Sequence, residues 1–190
     1  MSALARCALL AACALAACGQ REAAVAPQAP PQAPKQAPRP VVSSFEACVA
    51  AGNPVMESYP RQCRARDGRS FTEDVGNRID KQGLIQVDEP TPNQLIASPL
   101  TIHGKARGMW FFEASFPVSL VGPDGATLVT VPAQADGEWM TEDFVPFHVT
   151  LSFTAPAAGG VGRLILRKSN ASGMPEHDDQ LVIPVRFQQG

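Results

Sequence analysis

Apolar and polar residues alternate along several short runs between residues 84 and 188. The clearest run covers residues 147–153, where every second residue is apolar and the residues between them are polar. Residues 116–120 and 181–187 follow the same period of two, which is typical of β-strands that bury one face. Shorter apolar runs predict four further strands, at residues 84–87, 100–104, 127–131 and 164–167.

Turn signals separate these runs, and they fall at Pro123-Asp124-Gly125, Asp136-Gly137, Gly159-Gly160 and Ser172-Gly173. No stretch of comparable length has the helical period. About seven strands joined by such turns predict an antiparallel β-sandwich, and about 105 residues is a normal size for one core. The expected fold class is therefore all-β.

Residues 44–76 predict a small module ahead of this sandwich, whose domain we place at residues 77–190. The turn signal Asp67-Gly68 predicts a hairpin. A minimal core around the two cysteines would consist of Phe45, Val55, Tyr59 and Phe71. A module of about 30 residues with one bridge is marginal alone, so we expect it to pack on the sandwich or to join it by a stiff hinge.

Residues 18–43 repeat Ala-Pro-Gln units and predict a tether. The segment has almost nothing to bury and cannot offset the entropy of folding. Its prolines favour extended polyproline II at about 3.1 Å per residue, which gives a reach of up to roughly 70 Å. A proline-rich ligand for a docking domain is the less favoured alternative.

Residues 1–17 have the organisation of an export signal, with a basic start and an apolar run at residues 7–14. That run is too short for a bilayer, which needs about 20 residues. The sequence Leu-Ala-Ala-Cys at residues 15–18 resembles the lipobox of bacterial lipoproteins, in which the cysteine becomes the first mature residue and is acylated. The resemblance implies a lipid anchor at Cys18. Because Gly19 follows rather than aspartate, it also implies the outer membrane, facing the periplasm.

Five cysteines are present, but Cys7 and Cys13 would leave with the signal and Cys18 would carry lipid. Cys48 and Cys63 can then pair only with each other, in an oxidising compartment. Such a disulfide contributes about 3 kcal/mol in the loop-entropy model. A metal site would need more ligands than these two, and a redox pair would have the C-x-x-C spacing.

The chain has 16 Lys and Arg residues against 18 Asp and Glu residues, a net charge of −2. Residues 1–17 contain one arginine and no other charged residue, so their removal leaves 15 against 18, a net charge of −3. This balance argues against a nucleic-acid partner, which requires clustered cations. The one basic cluster is interrupted by carboxylates and predicts a solvated face, with an anionic envelope polymer or lipid head group as the alternative contact; it contains Arg61, Arg64, Arg66 and Arg69.

Several ordered motifs in the main domain carry a further resemblance. They include Ile-Gln-Val-Asp-Glu-Pro at 85–90, Trp-Phe-Phe-Glu-Ala-Ser-Phe-Pro-Val at 110–118, Gly-Glu-Trp-Met at 137–140 and Ile-Pro-Val at 183–185. Together they resemble the immunoglobulin-like domain of bacterial spore germination proteins over nearly all of residues 84–188. The resemblance implies an immunoglobulin-like sandwich that mediates binding outside the cytoplasm, and it brings no catalytic residues. Since residues 84–188 contain no cysteine, no disulfide can cross this sandwich.

The densest aromatic cluster is contiguous, so strand alternation would expose at least one of its rings. An exposed ring beside a carboxylate is suited to stacking on a sugar or anchoring a protein contact. The possible binding surface is therefore Trp110, Phe111, Phe112 and Glu113. The alternative is a core strand with one ring over a sheet edge. Trp139 is expected in the core.

No pattern predicts a catalytic, cofactor or metal site. His103, His148 and His177 are too scattered for a zinc site. The carboxylates available for glycoside hydrolysis are not brought together by any motif; they are Glu113, Glu138, Glu142 and Asp143. Oxygen ligands on one late loop match no known calcium loop; they are Asn170, Glu176, Asp178 and Asp179.

We therefore expect a non-enzymatic cell-envelope lipoprotein that presents its immunoglobulin-like domain to an envelope protein or to peptidoglycan. The alternative is an accessory or scaffold subunit of an envelope machine, contacting it through residues 44–76. A small hydrolase is the least favoured hypothesis. The expected contacts are a membrane through the lipid on Cys18 and one envelope partner, without a cofactor or nucleic acid.

Overall fold

The computed structural model describes residues 41–189. The predicted export signal, the acylation site Cys18 and the tether as far as residue 40 lie outside the described residues, so they stay predictions. Within residues 41–189, no helix combines the length and apolar character that a membrane crossing needs.

Short elements come first along the described chain, and long strands follow. The first elements are helix α1 (Phe45–Ala50), strands β1 (Val55–Met56), β2 (Gln62–Arg64) and β3 (Ser70–Thr72), and helix α2 (Arg78–Lys81). The later strands are β4 (Ile85–Glu89), β5 (Leu95–Ile96), β6 (Leu100–Arg107), β7 (Ser115–Val121), β8 (Thr127–Ala135), β9 (Phe144–Leu151), β10 (Gly160–Arg167) and β11 (Gln180–Phe187). Two 3₁₀ turns cover Gly108–Trp110 and Pro175–His177.

The eight later strands form one continuous ladder in the order β4-β6-β9-β8-β7-β10-β11-β5. Strands β8 and β9 share only two residue pairs, so the ladder turns there from one layer to the other. All neighbours are antiparallel except β5, which runs parallel to β11. The predicted all-β sandwich is confirmed, and each of the seven predicted strands is present. Strand β5 was not predicted because two residues have no period.

The two layers enclose one apolar core. Phe116 on β7 lies between Phe111 and Phe147, with ring centroids 5.2 and 4.9 Å away in edge-to-face geometry. Because Phe147 belongs to β9, this contact crosses from one layer to the other. Each fully buried large apolar side chain stabilises the fold by roughly 1.5–3 kcal/mol. Apolar packing of this kind holds the layers together without a disulfide between them.

The two-cysteine module places α1 against the sheet formed by β1, β2 and β3. Ser44 begins the helix, and its hydroxyl oxygen accepts a hydrogen bond from the Ala47 amide at 3.1 Å. The disulfide between Cys48 on α1 and Cys63 on β2 is present, as predicted. The predicted hairpin is also confirmed, since β2 and β3 pair with Cys63 opposite Phe71.

The predicted core of this module was wrong at Tyr59, whose side chain is 60% exposed in the loop between β1 and β2. Helix α1 contributes to the difference, because its residues Phe45 and Cys48 pack in this cluster, whereas Tyr59 does not belong to it. Ala65 and the half-buried Val42 complete the cluster instead. Six residues are too few to show a helical period, so the sequence pattern could not predict α1.

An ion pair lies at the joint between module and sandwich. The Arg61 guanidinium donates two hydrogen bonds to the carboxylate of Glu73, at 2.8 and 2.6 Å. Glu73 is buried and also accepts a longer hydrogen bond, 3.3 Å, from the Asn93 side chain. The hydrogen bond from Arg61 lowers the pKa of Glu73, although burial acts in the opposite direction. The module therefore packs directly on the sandwich.

The segment that follows Glu73 runs along the outer edge of β11. The Asn77 amide donates to the Val182 carbonyl at 3.3 Å, and the Val182 amide donates to the Asn77 side chain at 2.8 Å. The Asn93 amide donates to the Pro184 carbonyl at 2.7 Å. These bonds occupy groups that an edge strand would otherwise leave open to another chain. Gly76 is required there, because a Cβ would lie 1.9 Å from the Val182 carbonyl oxygen.

Candidate functional site

The predicted aromatic surface is only half formed. Trp110 is 1% exposed and Phe111 is also buried, so neither ring can meet a partner, and the prediction was wrong for both. The 3₁₀ turn at Gly108–Trp110 explains the difference, because it breaks the period of two just before β7 and lets consecutive rings enter the core. Phe112 and Glu113 are exposed, which agrees with the expectation that at least one ring must be.

A tight turn presents Phe112 and Glu113 to solvent. The Phe112 and Ser115 backbones exchange hydrogen bonds at 3.0 and 3.1 Å across the turn. Its two central residues, Glu113 and Ala114, have φ of 50° and 56°. Such a turn favours Asn-Gly, because residues with a Cβ lose roughly 1–2 kcal/mol each in the left-handed region. Backbone strain of this kind concentrates at functional sites.

The two most exposed large apolar side chains of the sandwich are Met109, which precedes this turn by three residues, and the distant Met140. Met109 is 60% exposed and Met140 is 74% exposed. Together with the half-buried Trp139, they surround a shallow depression that has Phe111 in its lining. We call Met109, Trp139 and Met140 the Met109–Met140 patch. Trp139 packs against the core with part of its surface, so the expectation that it is a core residue was only partly right.

Gly108 holds the two segments of the patch together. Its amide donates a hydrogen bond to the Asp143 carbonyl at 3.2 Å. A Cβ at this position would lie 2.0 Å from the carbonyl oxygen of Thr141 and 2.2 Å from that of Trp139. The backbone of the second segment therefore passes closer to Gly108 than any other residue type would allow. The patch depends on that approach, which the sequence did not reveal.

The rim of the patch is acidic. Glu138, Glu142 and Asp143 are all exposed on the loop that carries Met140. Arg107 contacts this loop, since its guanidinium donates to the Glu142 carbonyl at 3.1 Å and to the Gly83 carbonyl at 3.2 Å. Arg107 also covers the ring of Phe144 at 4.2 Å. Exposed methionines with a carboxylate rim are suited to binding an apolar side chain.

A serine and a histidine meet on the loop between β10 and β11, with Ser172 Oγ 2.9 Å from His177 Nδ1. The Asn170 side-chain nitrogen donates to the Met174 carbonyl and to Asp178, so its Oδ1 is an acceptor. Ser172 lies 2.6 Å from that oxygen and gives it its single proton. His177 must then donate to the serine, whereas a catalytic base would accept from it. The contact is a structural network rather than a nucleophile and base.

The remaining candidate residues form no metal centre in the described part of the chain. No three His, Cys, Asp or Glu side chains within residues 41–189 lie where they could hold an ion together. His103 and His148, which looked scattered in sequence, face each other on β6 and β9. His148 Nδ1 also lies 2.6 Å from an Asp136 carboxylate oxygen. The register between β6 and β9 brings the two histidines together, and the sequence pattern does not specify that register.

Comparison with known families agrees with the motifs. Residues 84–174 match the sequence model of the immunoglobulin-like domain of bacterial spore germination. The chain thus contains a germination-related immunoglobulin-like domain, and the match includes the whole Met109–Met140 patch. Domains of this type are typically non-catalytic and are consistent with binding. No curated protein matches the chain in sequence.

Proposed function

We propose that this protein is a non-enzymatic binding protein of the bacterial cell envelope. It is held on the outer membrane by acylated Cys18 and binds an envelope protein through the Met109–Met140 patch. The observation that carries the proposal is the patch itself, in which Met109 and Met140 stand open beside a half-buried tryptophan. Unbranched, polarisable methionine side chains adapt to the shape of a partner.

A protein partner is better supported than a glycan. Sugar platforms use open aromatic faces, and the rings of Trp110 and Phe111 are buried. Trp139 offers only part of its surface, because the rest packs on the core. Peptidoglycan is therefore the second candidate ligand for this site.

The patch is tested by affinity capture from envelope extract with the full-length protein. We expect one envelope protein in stoichiometric amount, lost with the double variant Met109→Ser and Met140→Ser. The control variant is Met174→Ser, which alters an exposed methionine outside the patch. Retention on purified peptidoglycan that Trp139→Ala abolishes would transfer the proposal to the glycan. If capture and retention are both absent, or if the double variant behaves like the control, the patch has no binding role.

The anchor is tested separately by mass spectrometry of the mature N-terminus. We expect a chain that begins at Cys18 and carries fatty acyl groups on that residue. The variant Cys18→Ala should move the protein from the membrane fraction to the soluble envelope fraction. An unmodified Cys18, or a different first residue, would contradict the lipoprotein proposal without affecting the patch.

One observation favours the accessory-subunit alternative. Tyr59 and Ile79 are both exposed beside a groove between the module and β4, which Gln86 and Asp88 also line. A partner that docks through the two-cysteine module would cover this groove. Tyr59→Ala should then release the captured protein while the double methionine variant retains it, and the opposite result would exclude the alternative.

A further inference from the structure

A second surface lies on the outer face of β10 and β11, away from the Met109–Met140 patch. Residues alternate on β10, where Leu164 and Leu166 are buried and Arg163 and Arg167 are exposed. The same alternation on β11 makes Arg186 exposed between buried neighbours. Because successive side chains on a strand point to opposite faces, these arginines share the face opposite the core.

Register places apolar side chains around the arginines. Val161, Arg186 and Leu95 are partners across β10, β11 and β5, so one row of the sheet has an arginine between two apolar residues. Leu95 is 56% exposed and Val161 is 51% exposed. Two rows further along, Ile165 pairs with Val182, and both are half-buried. We call this surface the arginine face; it consists of Leu95, Val161, Arg163, Ile165, Val182 and Arg186.

The charges of this face are uncompensated within residues 41–189. The side chains of Arg163 and Arg186, and of the neighbouring Arg167, take part in none of the hydrogen bonds or ion pairs there. The outward positions of β7, β10 and β11 contain no carboxylate. Asp179, near the Arg167 end, is already paired with Lys81 at 2.6 Å. A chain with a net charge of −2 therefore keeps one sheet face purely basic.

The geometry points to a docking surface for an acidic, apolar face of a partner protein. Enrichment in arginine and depletion of carboxylates are features of interface centres rather than of ordinary solvated surface. The apolar residues favour a protein, because an anionic polymer would need only the charges. A second copy is unsuitable, since a two-fold contact through this face would bring one basic face against another. This surface goes beyond the proposed function, because its residues are distinct from those of the Met109–Met140 patch.

Photo-crosslinking in cells of the source organism tests the inference with the full-length chain. A photoreactive amino acid replaces Leu95 or Val161, with Val49 on α1 as the exposed control position. We expect one protein adduct from both face positions and none from the control. The cross-linked peptide of the partner should contain carboxylates next to apolar residues. The double variant Met109→Ser and Met140→Ser should leave the adduct unchanged, which separates this inference from the proposed function.

Charge reversal then tests the recognition chemistry. Arg163→Glu combined with Arg186→Glu should reduce the adduct by about tenfold or more, because like charges would then face each other. Replacing the identified carboxylates of the partner by lysine should restore it. The matched control Arg66→Glu reverses an exposed arginine of the module and should change nothing. Equal melting temperatures of all variants establish that folding is intact.

Four results would overturn the inference. They are an adduct that is insensitive to both reversals, an adduct with a second copy of the chain, an adduct with lipid or polysaccharide alone, and no adduct above the control.

Discussion

Replacing Glu73 by glutamine would remove the negative charge at the joint between the two-cysteine module and the sandwich while keeping the side-chain shape. The carboxylate accepts two hydrogen bonds from Arg61, at 2.8 and 2.6 Å. Glutamine offers one acceptor oxygen, so at least one charge-assisted hydrogen bond is lost. A hydrogen bond to a charged group contributes about 1.5–3 kcal/mol. Breaking a buried ion pair typically costs more stability than this, because it leaves a buried charge without a partner. That larger cost does not apply here, because the Arg61 side chain is 53% exposed and its guanidinium can be hydrated.

We therefore expect the free energy of unfolding of the module to fall by about 2 kcal/mol at pH 7. Hydrogen exchange followed by mass spectrometry measures this, since amides of β2 and β3 should exchange about 30 times faster. Asp67→Asn is the matched control. It removes a pair with Arg69 in which both side chains are about half exposed, and it should change exchange little.

The pH dependence gives the sharper test. The pKa of Glu73 is lowered in the folded protein, chiefly by the hydrogen bond from Arg61. A lowered pKa stabilises the folded state above the unfolded pKa of about 4.3, and that contribution is lost as pH falls through the folded value. The free energies of unfolding of wild type and Glu73→Gln should therefore differ by the full amount at pH 7. They should converge as the pH falls below about 4. A difference that persists at the lowest pH, or no difference at pH 7, would refute the role given to this ion pair.

Three further changes test the fold and the patch. Gly108→Ala would put a methyl group 2.0 Å from the Thr141 carbonyl oxygen. We therefore expect the free energy of unfolding, measured in urea, to fall by about 1–3 kcal/mol. An unchanged urea midpoint would contradict the close approach. Ala114→Gly removes the strain of a residue with a Cβ at a φ of 56°. The free energy of unfolding should rise by up to about 1 kcal/mol, and the melting temperature should rise with it. A lower melting temperature would contradict the strain. Replacing Cys48 and Cys63 by alanine opens a loop with a separation of 15 residues. The free energy of unfolding of the module should fall by about 3 kcal/mol, so calorimetry should show the module unfolding at a lower temperature than the sandwich. A single unshifted transition would be inconsistent with a stabilising disulfide.

Period-two burial made the sandwich predictable from the chain alone. On β9, for example, Phe147, Val149 and Leu151 are buried and their neighbours are exposed. A strand with one buried face must show that pattern, whatever its partners are. The disulfide was predictable for a different reason, because the predicted export signal and lipid site accounted for the other three cysteines and left Cys48 and Cys63 to pair.

The candidate site was less predictable because it depends on places where the period fails. The 3₁₀ turn that buries Trp110 is three residues long and leaves no periodic signal. The Met109–Met140 patch needs the approach of two distant segments at Gly108, which is a property of packing. The arginine face needs register, since alternation alone cannot say that Arg186 lies between Val161 and Leu95.

The edges of the sheet narrow the ways in which a partner can bind. On edge strand β4, the Arg78 guanidinium donates to the Val87 carbonyl at 2.5 Å and so occupies a group that an added strand would need. The edge of β11 is occupied by Asn77, Asn93 and the short strand β5. Such blocked edges are a common protection against pairing with another chain.

A strand added at either of these two edges would have to displace contacts that are already made. Side chains on loops and on sheet faces are open to a partner without such displacement. The Met109–Met140 patch and the arginine face are surfaces of these two kinds. Their opposite rims, acidic around Met140 and basic around Arg186, predict partners of opposite charge. If both proposals hold, the protein brings two different proteins together.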